Sequence, residues 1–321
     1  MTSFGEVDVT VVLVSYNTAG LLKESIGRVR AAEGDLRVKI VVVDNASKDD
    51  SVSVLRRDFA DCELIVNDSN AGFGRANNQA LPLVEGRYVL LLNTDAFVSA
   101  DTLSKTVAYM DAHTCCGILG VRLVDQEGKL QPSARYFPTP LNRFLLRTGL
   151  DRIVQGVRMV DDLTWDHASV RYCDWVPGCF YLVRKELIEQ IGLFDPRYFL
   201  YSEEIDHCFA AKKAGWQVVF FPDTSVVHIG GESAKSDGAI TSDGRQLELL
   251  QIESELLYFR KNHGVIGIWV HLLLTTLGDV LIVLRRFVRR RSPIGLGAYA
   301  RHITLVWSLF RRTRWGTQPT R

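Results

Sequence analysis

The chain has 321 residues, of which 47% are hydrophobic and 23% charged, so it can bury a substantial core in one large domain with or without an appendage. The formal net charge of +1 hides an asymmetry, because the segment from Arg260 onward carries twelve Lys or Arg and one acidic residue, whereas the rest is acidic. Such a tail is expected to meet an anionic surface, either a membrane or a nucleic acid. Six scattered cysteines without a CxxC pair argue against a zinc site, and the N-terminus shows no signal-peptide pattern, so reduced thiols in a cytoplasm are expected.

The first hundred residues alternate between apolar runs and stretches long enough for a helix. The apolar runs are Val9–Val14, Val38–Val43, Leu64–Val66 and Tyr88–Leu92. The stretches between them are Leu21–Ala32, Ser51–Phe59 and Phe73–Val84. This alternation predicts βαβ units around a parallel sheet, and therefore an α/β fold.

The pattern changes after about Cys116. The apolar run Ile118–Val124 is followed by the proline-punctuated sequence QPSARYFPTPLNRF, which is typical of loops that line a substrate cleft. A second recognisable unit begins at Trp175 and ends near Ser233, and the sequence from about Gly264 onward has a different character again.

Polar residues follow each of the four apolar runs, where parallel strands would end. They read SYN at 15–17, DNAS at 44–47, NDSN at 67–70 and NTD at 93–95. Any one of them could cap the next helix, but four together favour a ligand site, because open parallel sheets bind ligands beyond the carboxyl ends of their strands. The first turn reads SYNTAG rather than GxGxxG, and GxxxxGK[ST] is absent, so neither a dinucleotide-binding fold nor a P-loop is predicted.

Seven sequence blocks carry a resemblance to a known family. They are VSYN, VVDNASKDDS, NAGFGRANN, LLLNTDA, WVPGCFYLVRKE, FDPRYFLYSEEID and AGWQVVFFPDTSVVHIGGES. In this order and spacing, over roughly residues 7 to 235, the chain resembles the family 2 glycosyltransferases of the rhamnosyltransferase-like branch. The resemblance implies a GT-A fold with a Rossmann-like, mostly parallel sheet, and inverting transfer of a sugar from a nucleoside diphosphate.

The resemblance also suggests domains and substrates. Residues 1–262 would form the GT-A domain, with a nucleotide-binding half of about 1–125 and an acceptor-binding half of about 126–262. Residues 263–321 lie beyond the resemblance, and their own periodicity predicts a helical, amphipathic tail. The implied donor is a dTDP- or UDP-sugar, with rhamnose favoured, and the implied acceptor is a saccharide or lipid-linked saccharide in cell-surface polysaccharide synthesis. The sequence also allows a homo-oligomer.

Several strand-end residues acquire donor-binding roles from the resemblance. Asp44 resembles the carboxylate that accepts the N–H of a pyrimidine base, and Ser15 and Asn17 would line the same pocket. The glycine-containing loop NAGFG at 70–74 could cradle phosphate or sugar before the helix that follows it. The implied nucleotide-sugar contacts are Ser15, Asn17, Asp44, Asn70, Gly74, Asn78, Asn93 and Asp95.

A divalent metal, Mg²⁺ or Mn²⁺, is implied at the end of the fourth strand. Asp95 resembles the last residue of the family's DxD motif, where a cation would bridge the diphosphate oxygens and neutralise the leaving group. The first position of the motif is Asn93, a neutral donor that removes one negative charge from the site. His228 stands where the family supplies a second ligand, although a lone histidine after a strand is more often structural.

An inverting transfer needs one general base that takes the proton of the acceptor hydroxyl. Glu203, Glu204 and Asp206 would open a helix, whose positive dipole end stabilises carboxylates and is itself a sufficient reason for them. The family commonly reads Glu-Asp-x-Asp here with its Asp as base, and the matching position is Glu204. The resemblance therefore implies Glu204 as the base and Glu203 and Asp206 as contacts for acceptor hydroxyls, with the choice between Glu204 and Asp206 as base left open.

The wall on the acceptor side is assigned to Trp175 and Gly178. An aromatic face packs well on the C–H surfaces of a sugar, which favours Trp175 for this role. A tryptophan buried in the core explains the same residue equally well.

The tail contains one long apolar stretch, Val265–Leu284, which could in principle span a bilayer. Its polar members His271, Thr275 and Asp279 recur every four residues and would form one helical stripe. Burying Asp279 in lipid is costly, so the sequence favours an amphipathic helix in the membrane plane that needs no protein partner. The cluster Arg285–Arg291 would add attraction to anionic headgroups.

A second apolar segment, Ile303–Phe310, repeats this scheme with Trp307 as an interface anchor. We therefore expect a peripheral protein on the cytoplasmic face of the cell membrane. The alternative is a hydrophobic helix packed on the catalytic domain or on a dimer partner.

Other functions are weighed against the transferase. A catalytically impaired, membrane-associated nucleotide-sugar-binding or scaffold protein is kept open by Asn93 and Glu204, where the chain departs from the family pattern. Nucleic-acid binding is disfavoured by the apolar content of the tail. A processive synthase is disfavoured because QxxRW is missing, RRTRW at 311–315 being the nearest string.

Overall fold

The central sheet is built from the apolar runs of the sequence. The computed structural model describes residues 7–162, 164–230, 245–288 and 296–321. The strands in these ranges are β1 (Val9–Ser15), β2 (Val38–Asp44), β3 (Glu63–Val66), β4 (Tyr88–Asn93), β5 (Ala96–Val98), β6 (Cys116–Val124), β7 (Leu130–Gln131), β8 (Arg171–Tyr172), β9 (Phe180–Arg184) and β10 (Gln217–His228). The helices are α1 (Ala19–Ala31), α2 (Ser51–Asp58), α3 (Phe73–Gln79), α4 (Thr102–Ala112), α5 (Pro140–Thr148), α6 (Lys185–Ile191), α7 (Glu203–Lys213), α8 (Arg245–Val288) and α9 (Leu296–Arg312).

The strands described form one sheet in the order β3–β2–β1–β4–β9–β6–β10–β5, with β7 beside β6 and β8 beside β10. Pairing is parallel from β3 through β4, as the alternation of apolar runs and helices predicts. Beyond β4 the sheet is mixed, because β9 runs antiparallel to both β4 and β6 while β10 is parallel to β6. The α/β prediction is confirmed, and the parallel half is the one that carries the predicted site edge.

Each face of the sheet buries its own apolar core, because side chains alternate along a strand. On β1, Val9, Val11 and Leu13 point to a core covered by α1, α2 and α4. Val12 points to the opposite core, which is covered by α3, α6, α7 and α8. The second core carries the helices that lie nearest to the predicted catalytic residues.

Helix α3 is shorter than the sequence pattern suggests. It ends at Gln79, and a 3₁₀ turn at Leu81–Leu83 replaces its predicted last turn. Pro82 lies in this turn and has no N–H to continue the α-helical bonding, which accounts for the early end.

The long helix α8 is folded sharply at Gly264, whose φ of 69° and ψ of −164° lie outside the helical region. His271 Nε2 lies 3.8 Å from Glu255 Oε2, and the His271 and Phe259 rings stack at 4.3 Å. Sixteen residues of straight helix would separate the first pair by about 24 Å. The two halves of α8, residues 245–263 and 265–288, therefore lie side by side.

The polar stripe of the tail faces protein. Asp279 is fully buried, and its carboxylate binds Arg147 of α5 and His302 Nδ1 of α9, the latter at 2.7 Å. The expectation that this helix needs no protein partner is therefore wrong, because a buried carboxylate needs paired and hydrogen-bonding partners, which α5 and α9 supply to Asp279. Trp307, predicted as an interface anchor, instead donates to Thr276 Oγ1 at 3.1 Å between α8 and α9.

The outer side of the second half of α8 is apolar and exposed. Its exposed large hydrophobic residues are Val265, Ile266, Trp269, Val270, Leu273, Leu277, Val280, Leu284, Phe287 and Val288. Of the helices that the structure describes, α8 alone has the length and composition to cross a membrane. The sharp bend at Gly264, however, divides it into two shorter helices. Part of the predicted cluster Arg285–Arg291 lies outside the described residues.

Candidate active site

The predicted edge of the sheet is formed by the ends of three adjacent strands. In the register of the sheet, Ser15 of β1 lies beside Asp44 of β2, and Val14 lies beside Asn93 of β4. Parallel pairing brings these chain segments together, because parallel strands end at the same edge. The polar residues at the ends of β1, β2 and β4 thus share one site.

Asp44 has one carboxylate oxygen that is buried without a protein partner. Oδ1 accepts a hydrogen bond from the Ser47 backbone N–H at 2.9 Å, which fixes the carboxylate. Oδ2 is fully covered and has no hydrogen-bond partner among the residues that the structure describes. A covered acceptor without a partner is unfavourable, so this oxygen is suited to accept an N–H from a bound base.

Ser15 and Asn17 hold the turn after β1. The Ser15 hydroxyl is buried and lies 3.1 Å from the Thr18 hydroxyl. Asn17 has a φ of 53°, and its side-chain oxygen accepts from the Lys48 backbone N–H at 2.6 Å. This geometry ties the loops after β1 and β2 to each other, and direct contact of the two side chains with a nucleotide stays a prediction.

An amide network shapes the loop before α3. Asn70 Oδ1 accepts from Asn45 Nδ2 at 2.8 Å and from the Gly72 N–H at 2.9 Å. Gly72 has a φ of +88°, and a Cβ there would lie 2.4 Å from the Phe199 carbonyl oxygen. Only glycine fits this close approach. The loop is therefore held both to the end of β2 and to the segment that leads into α7.

Asn78 joins α3 to the same segment. Its side-chain amide donates to the Phe194 carbonyl at 2.7 Å and accepts from the Phe194 N–H at 3.1 Å. Gly74, one turn earlier, lies against the same residue, since a Cβ there would be 3.3 Å from that of Phe194. Both groups of Asn78 are thus engaged within the protein, and the geometry favours a positioning role over direct donor contact.

Asp95 and His228 come together from distant parts of the chain. Strand β5 pairs with β10, which places His228 opposite Ala96 and its Nε2 3.7 Å from Asp95 Oδ1. His228 Nδ1 lies 3.0 Å from Gln131 Oε1, so a proton on Nδ1 leaves the Nε2 lone pair facing Asp95. Burial lowers the pKa of His228 against the opposing charge of Asp95, which favours the neutral, ligating form.

This donor set fits a divalent cation that is completed by substrate. A carboxylate and an imidazole face each other, and Asn93 stands at the adjacent strand end. No cluster of three His, Cys, Asp or Glu ligands occurs within the described ranges. Mg²⁺ characteristically keeps few protein ligands and completes its shell with phosphate oxygens and water.

Glu203 and Glu204 open α7 from a strained turn. Tyr201 and Ser202 both adopt left-handed backbone conformations, with φ of 70° and 67°. Each costs about 1–2 kcal/mol for a residue that is not glycine, and such strain clusters at functional sites. The first turn of α7 therefore presents its carboxylates in a conformation that the surrounding structure must enforce.

The two glutamates differ in their environment. Burial, and then the charge of Glu204, raise the pKa of Glu203 well above its usual range. Burial also raises the pKa of Glu204, while its backbone hydrogen bond and the Arg135 guanidinium oppose that rise. Glu204 is the less buried residue, although its Oε2 is covered and has no hydrogen-bond partner within the described part of the chain. Of this pair, Glu204 is better placed to be ionised and to take a proton.

Asp206 has both of its carboxylate oxygens engaged. Oδ2 accepts from Lys261 Nζ at 2.6 Å, and Oδ1 accepts from Asn262 Nδ2 at 2.7 Å and from the Tyr198 hydroxyl at 3.3 Å. The residue is also buried. This arrangement favours Glu204 over Asp206 as the base and leaves Asp206 little capacity for an acceptor hydroxyl.

Trp175 and Gly178, which were expected to form the acceptor wall together, have different surroundings. Trp175 is only 4% exposed and donates its indole N–H to the Tyr136 carbonyl at 2.9 Å. The Arg135 guanidinium covers its ring at 4.8 Å. Gly178 instead lies next to the start of α3, where a Cβ would be 3.4 Å from the Phe73 ring. Trp175 thus supports Arg135, and its contact with an acceptor sugar stays a prediction.

Two residues of the site were not identified from sequence. Gln131 orients His228 through its side-chain oxygen and donates to the His228 carbonyl at 2.8 Å. Arg135 is held by Asp161 at 2.6 Å and acts electrostatically on Glu204. Both belong to the proline-punctuated segment that was predicted to line a substrate cleft. That segment was the available signal, but it does not single out individual residues.

The sheet topology is that of the GT-A fold. A solved mannosyltransferase from Pyrobaculum calidifontis, in complex with GDP-Man and Mn²⁺, superposes with a TM-score of 0.54 at 15% identity, covering 97% of this chain and 88% of that one. Its likeness establishes the fold.

Sequence comparison identifies the family. The profile of glycosyl transferase family 2 matches residues 10–167. An N-acetylglucosaminyl-diphospho-decaprenol L-rhamnosyltransferase of Mycobacterium tuberculosis is 26% identical over 247 residues, covering 71% of this chain and 78% of the relative. Rhamnosyltransferase WbbL of Escherichia coli is 26% identical over 238 residues, covering 71% and 86%. The chain belongs to glycosyl transferase family 2, in its rhamnosyltransferase-like branch, as its sequence blocks predict.

Proposed function

We propose that the protein is an inverting, metal-dependent glycosyltransferase that moves a sugar from a dTDP- or UDP-sugar to a saccharide carried on a lipid. The observation that carries this proposal is the pairing of Asp95 with His228 at 3.7 Å on a sheet edge that also holds Asp44, with its covered, unpartnered Oδ2. Rhamnose is the favoured sugar, because two relatives are named as rhamnosyltransferases.

In this mechanism the protein binds the nucleotide and removes one proton. Asp44 accepts an N–H from the pyrimidine base. Asp95 and His228, with Asn93 beside them, would hold a divalent cation, which when bound would supply positive charge near the leaving diphosphate. Glu204 takes the proton of the acceptor hydroxyl as its oxygen bonds to the anomeric carbon. The bond from that carbon to the diphosphate oxygen breaks on the opposite face, which inverts the anomeric configuration.

A lipid-linked acceptor fits the outer surface of α8. The relative from Mycobacterium tuberculosis is named for a diphospho-decaprenol acceptor. In this chain α8 turns its polar stripe inward and its apolar side outward, the reverse of a helix on the surface of a soluble domain. An exposed apolar face of this extent is typical of an interaction surface. We propose that it lies in the cytoplasmic leaflet, with basic residues such as Arg301 and Arg311 at the headgroups.

The membrane proposal predicts an effect of surface substitutions. Truncation after Asn262 is unsuitable as a test, because it would also remove the buried residues Ile268 and Leu272 from the core. The double variant Ile266→Ser, Leu273→Ser alters only exposed side chains and should release the protein from anionic vesicles in a flotation assay. The reason is the loss of roughly 1.5–3 kcal/mol of apolar burial per side chain.

A matched double variant, Val170→Ser with Tyr172→Ser, removes exposed apolar groups from another surface and should leave vesicle binding unchanged. Equal binding by the Ile266→Ser, Leu273→Ser protein would contradict the membrane role of α8. Oligomeric state, measured by light scattering, then tests whether the same face binds a second copy.

The transferase proposal is tested by donor hydrolysis. The protein is incubated with a panel of dTDP-, UDP- and GDP-sugars and Mg²⁺ or Mn²⁺, and the nucleoside diphosphate released is measured. We expect slow release of nucleoside diphosphate from one donor by hydrolysis. Release should become faster when a prenyl-diphosphate-linked saccharide is added, because the sugar is then transferred to it. Nucleotide binding without hydrolysis or transfer would instead favour the impaired, scaffold-type protein.

A further inference from the structure

The carboxylate of Asp206 joins the catalytic helix to the tail helix. Lys261 Nζ lies 2.6 Å from Asp206 Oδ2 and 2.6 Å from Asp195 Oδ2, so one ammonium bridges two carboxylates. Asn262 donates to Asp206 Oδ1 at 2.7 Å. Charge-assisted bonds of this length are strong, and removal of one partner would leave a buried carboxylate uncompensated.

The turn that presents Glu204 needs support from outside. Tyr201 and Ser202 hold consecutive left-handed conformations, which ordinary residues adopt only when neighbouring structure enforces them. Ser254 of α8 donates to the Leu200 carbonyl at 2.8 Å, and the Arg321 guanidinium lies 5.0 Å above the Phe199 ring. Ser254 and Arg321 therefore both contact the residues immediately before this turn.

The Asp206 contacts hold the same turn from within α7. The Asp206 N–H donates to the Ser202 carbonyl at 2.9 Å, so Asp206 is bonded directly to the turn that precedes Glu204. Lys261 and Asn262 come from α8 just before its fold at Gly264. The same two residues thus fix both the catalytic turn and the point from which the apolar half of α8 departs.

We propose that Lys261 and Asn262 are positioning residues for sugar transfer, which hold the Glu204 turn through Asp206 and make the first half of α8 a necessary part of the active site. This inference rests on the proposed function in one respect, that Glu204 is the base. It gives Asp206 the role of an anchor rather than that of a base or an acceptor contact. It also couples the placement of the exposed face of α8 to the geometry of catalysis.

The inference is tested in the full-length protein with Lys261→Met. Because a base displaced by about 1 Å can lose up to a hundredfold in rate, we expect kcat for transfer to fall about tenfold or more. Donor KM and nucleotide affinity should stay within about twofold, since Asp44 and the metal pair are not disturbed. Lys261→Arg keeps a cation that can bond to both carboxylates and should restore most of kcat.

Two further variants separate positioning from general damage. Lys39→Met breaks a 2.6 Å bond to Glu85 at the opposite end of β2, and it should transfer sugar at the parent rate. Asp206→Asn and Lys261→Met should be non-additive when combined, because both act through one contact. Asn262→Ala removes a single hydrogen-bond donor to Asp206, so a smaller fall in kcat is expected. It provides the test if Lys261→Met fails to fold.

Folded Lys261→Met or Asn262→Ala protein that transfers sugar at the parent rate would overturn the inference while leaving the transferase proposal intact. A loss of donor affinity equal to the loss of kcat would also overturn it, because that result indicates general disruption of the site. Absence of transfer in the parent protein would remove the proposed function and the inference together.

Discussion

Glu204→Gln is expected to lower kcat for sugar transfer by about a hundredfold or more, with little change in donor affinity. The substitution keeps the shape of the side chain but removes the group that accepts the hydroxyl proton. Burial already raises the pKa of Glu204, which makes it a stronger base than an ordinary glutamate. Steady-state kinetics with the identified donor and acceptor, alongside calorimetric titration with the nucleotide, measure the two quantities separately.

The matched comparison is Asp206→Asn, which should cost less because Asp206 is an anchor with both oxygens engaged. A larger loss in Asp206→Asn than in Glu204→Gln would transfer the role of base to Asp206. The pH profile is a second check. A base works only when ionised, so kcat should fall as pH decreases through the raised pKa of Glu204, at a higher pH than for an ordinary glutamate. The residual rate of Glu204→Gln should lack this acidic limb.

Asp95→Ala is expected to abolish measurable transfer and to prevent metal-dependent binding of the donor. In the proposed site Asp95 would contribute the anionic ligand just after β4, and Asn93 could not replace its charge. EDTA should have the same effect on the parent protein, and Mg²⁺ or Mn²⁺ should reverse it. Calorimetry of nucleoside diphosphate binding with and without Mn²⁺ gives a readout that does not depend on turnover.

Two variants sharpen this metal test. His228→Ala should weaken Mn²⁺-dependent binding less than Asp95→Ala, because an imidazole supplies a neutral ligand. Asp61→Ala removes an exposed carboxylate that pairs with Arg30, and it should behave as the parent. Donor binding by Asp95→Ala at parent affinity, or transfer that is insensitive to EDTA, would show that the cation role is wrong.

Much of the site edge could be predicted from local sequence. The runs that became β1, β2 and β4 are apolar enough to be buried on both faces, and each ends on polar residues. A parallel sheet has one carboxyl edge, so Ser15, Asp44 and Asn93 meet there wherever the runs pair in parallel. The rest of the site does not follow from such patterns. Asp95 meets His228 only because β5 pairs with β10, more than a hundred residues further along the chain.

The roles of individual side chains depended on what lies around them. Asn78 resembles a donor contact in sequence, but Phe194 engages both ends of its amide. Asp206 and Glu204 share one helical turn, and the approach of Lys261 from α8 distinguishes the anchor, Asp206, from the proposed base, Glu204. Hydrogen-bond partners distant in sequence leave no periodic signal, which is why the sequence left the choice of base open.

The sequence by itself predicted an α/β fold with polar residues at one edge of its sheet, because buried parallel strands and their polar ends are local patterns that any packing must respect. Its seven sequence blocks, rather than this pattern, carried the resemblance to the family 2 glycosyltransferases. It also determined that the stripe of His271, Thr275 and Asp279 lies on one face of a helix. Only the tertiary structure decided which way that stripe turns. The cost of burying the charge of Asp279 is met by Arg147 of α5 and His302 of α9, so the polar side packs inward and the apolar side of α8 faces out.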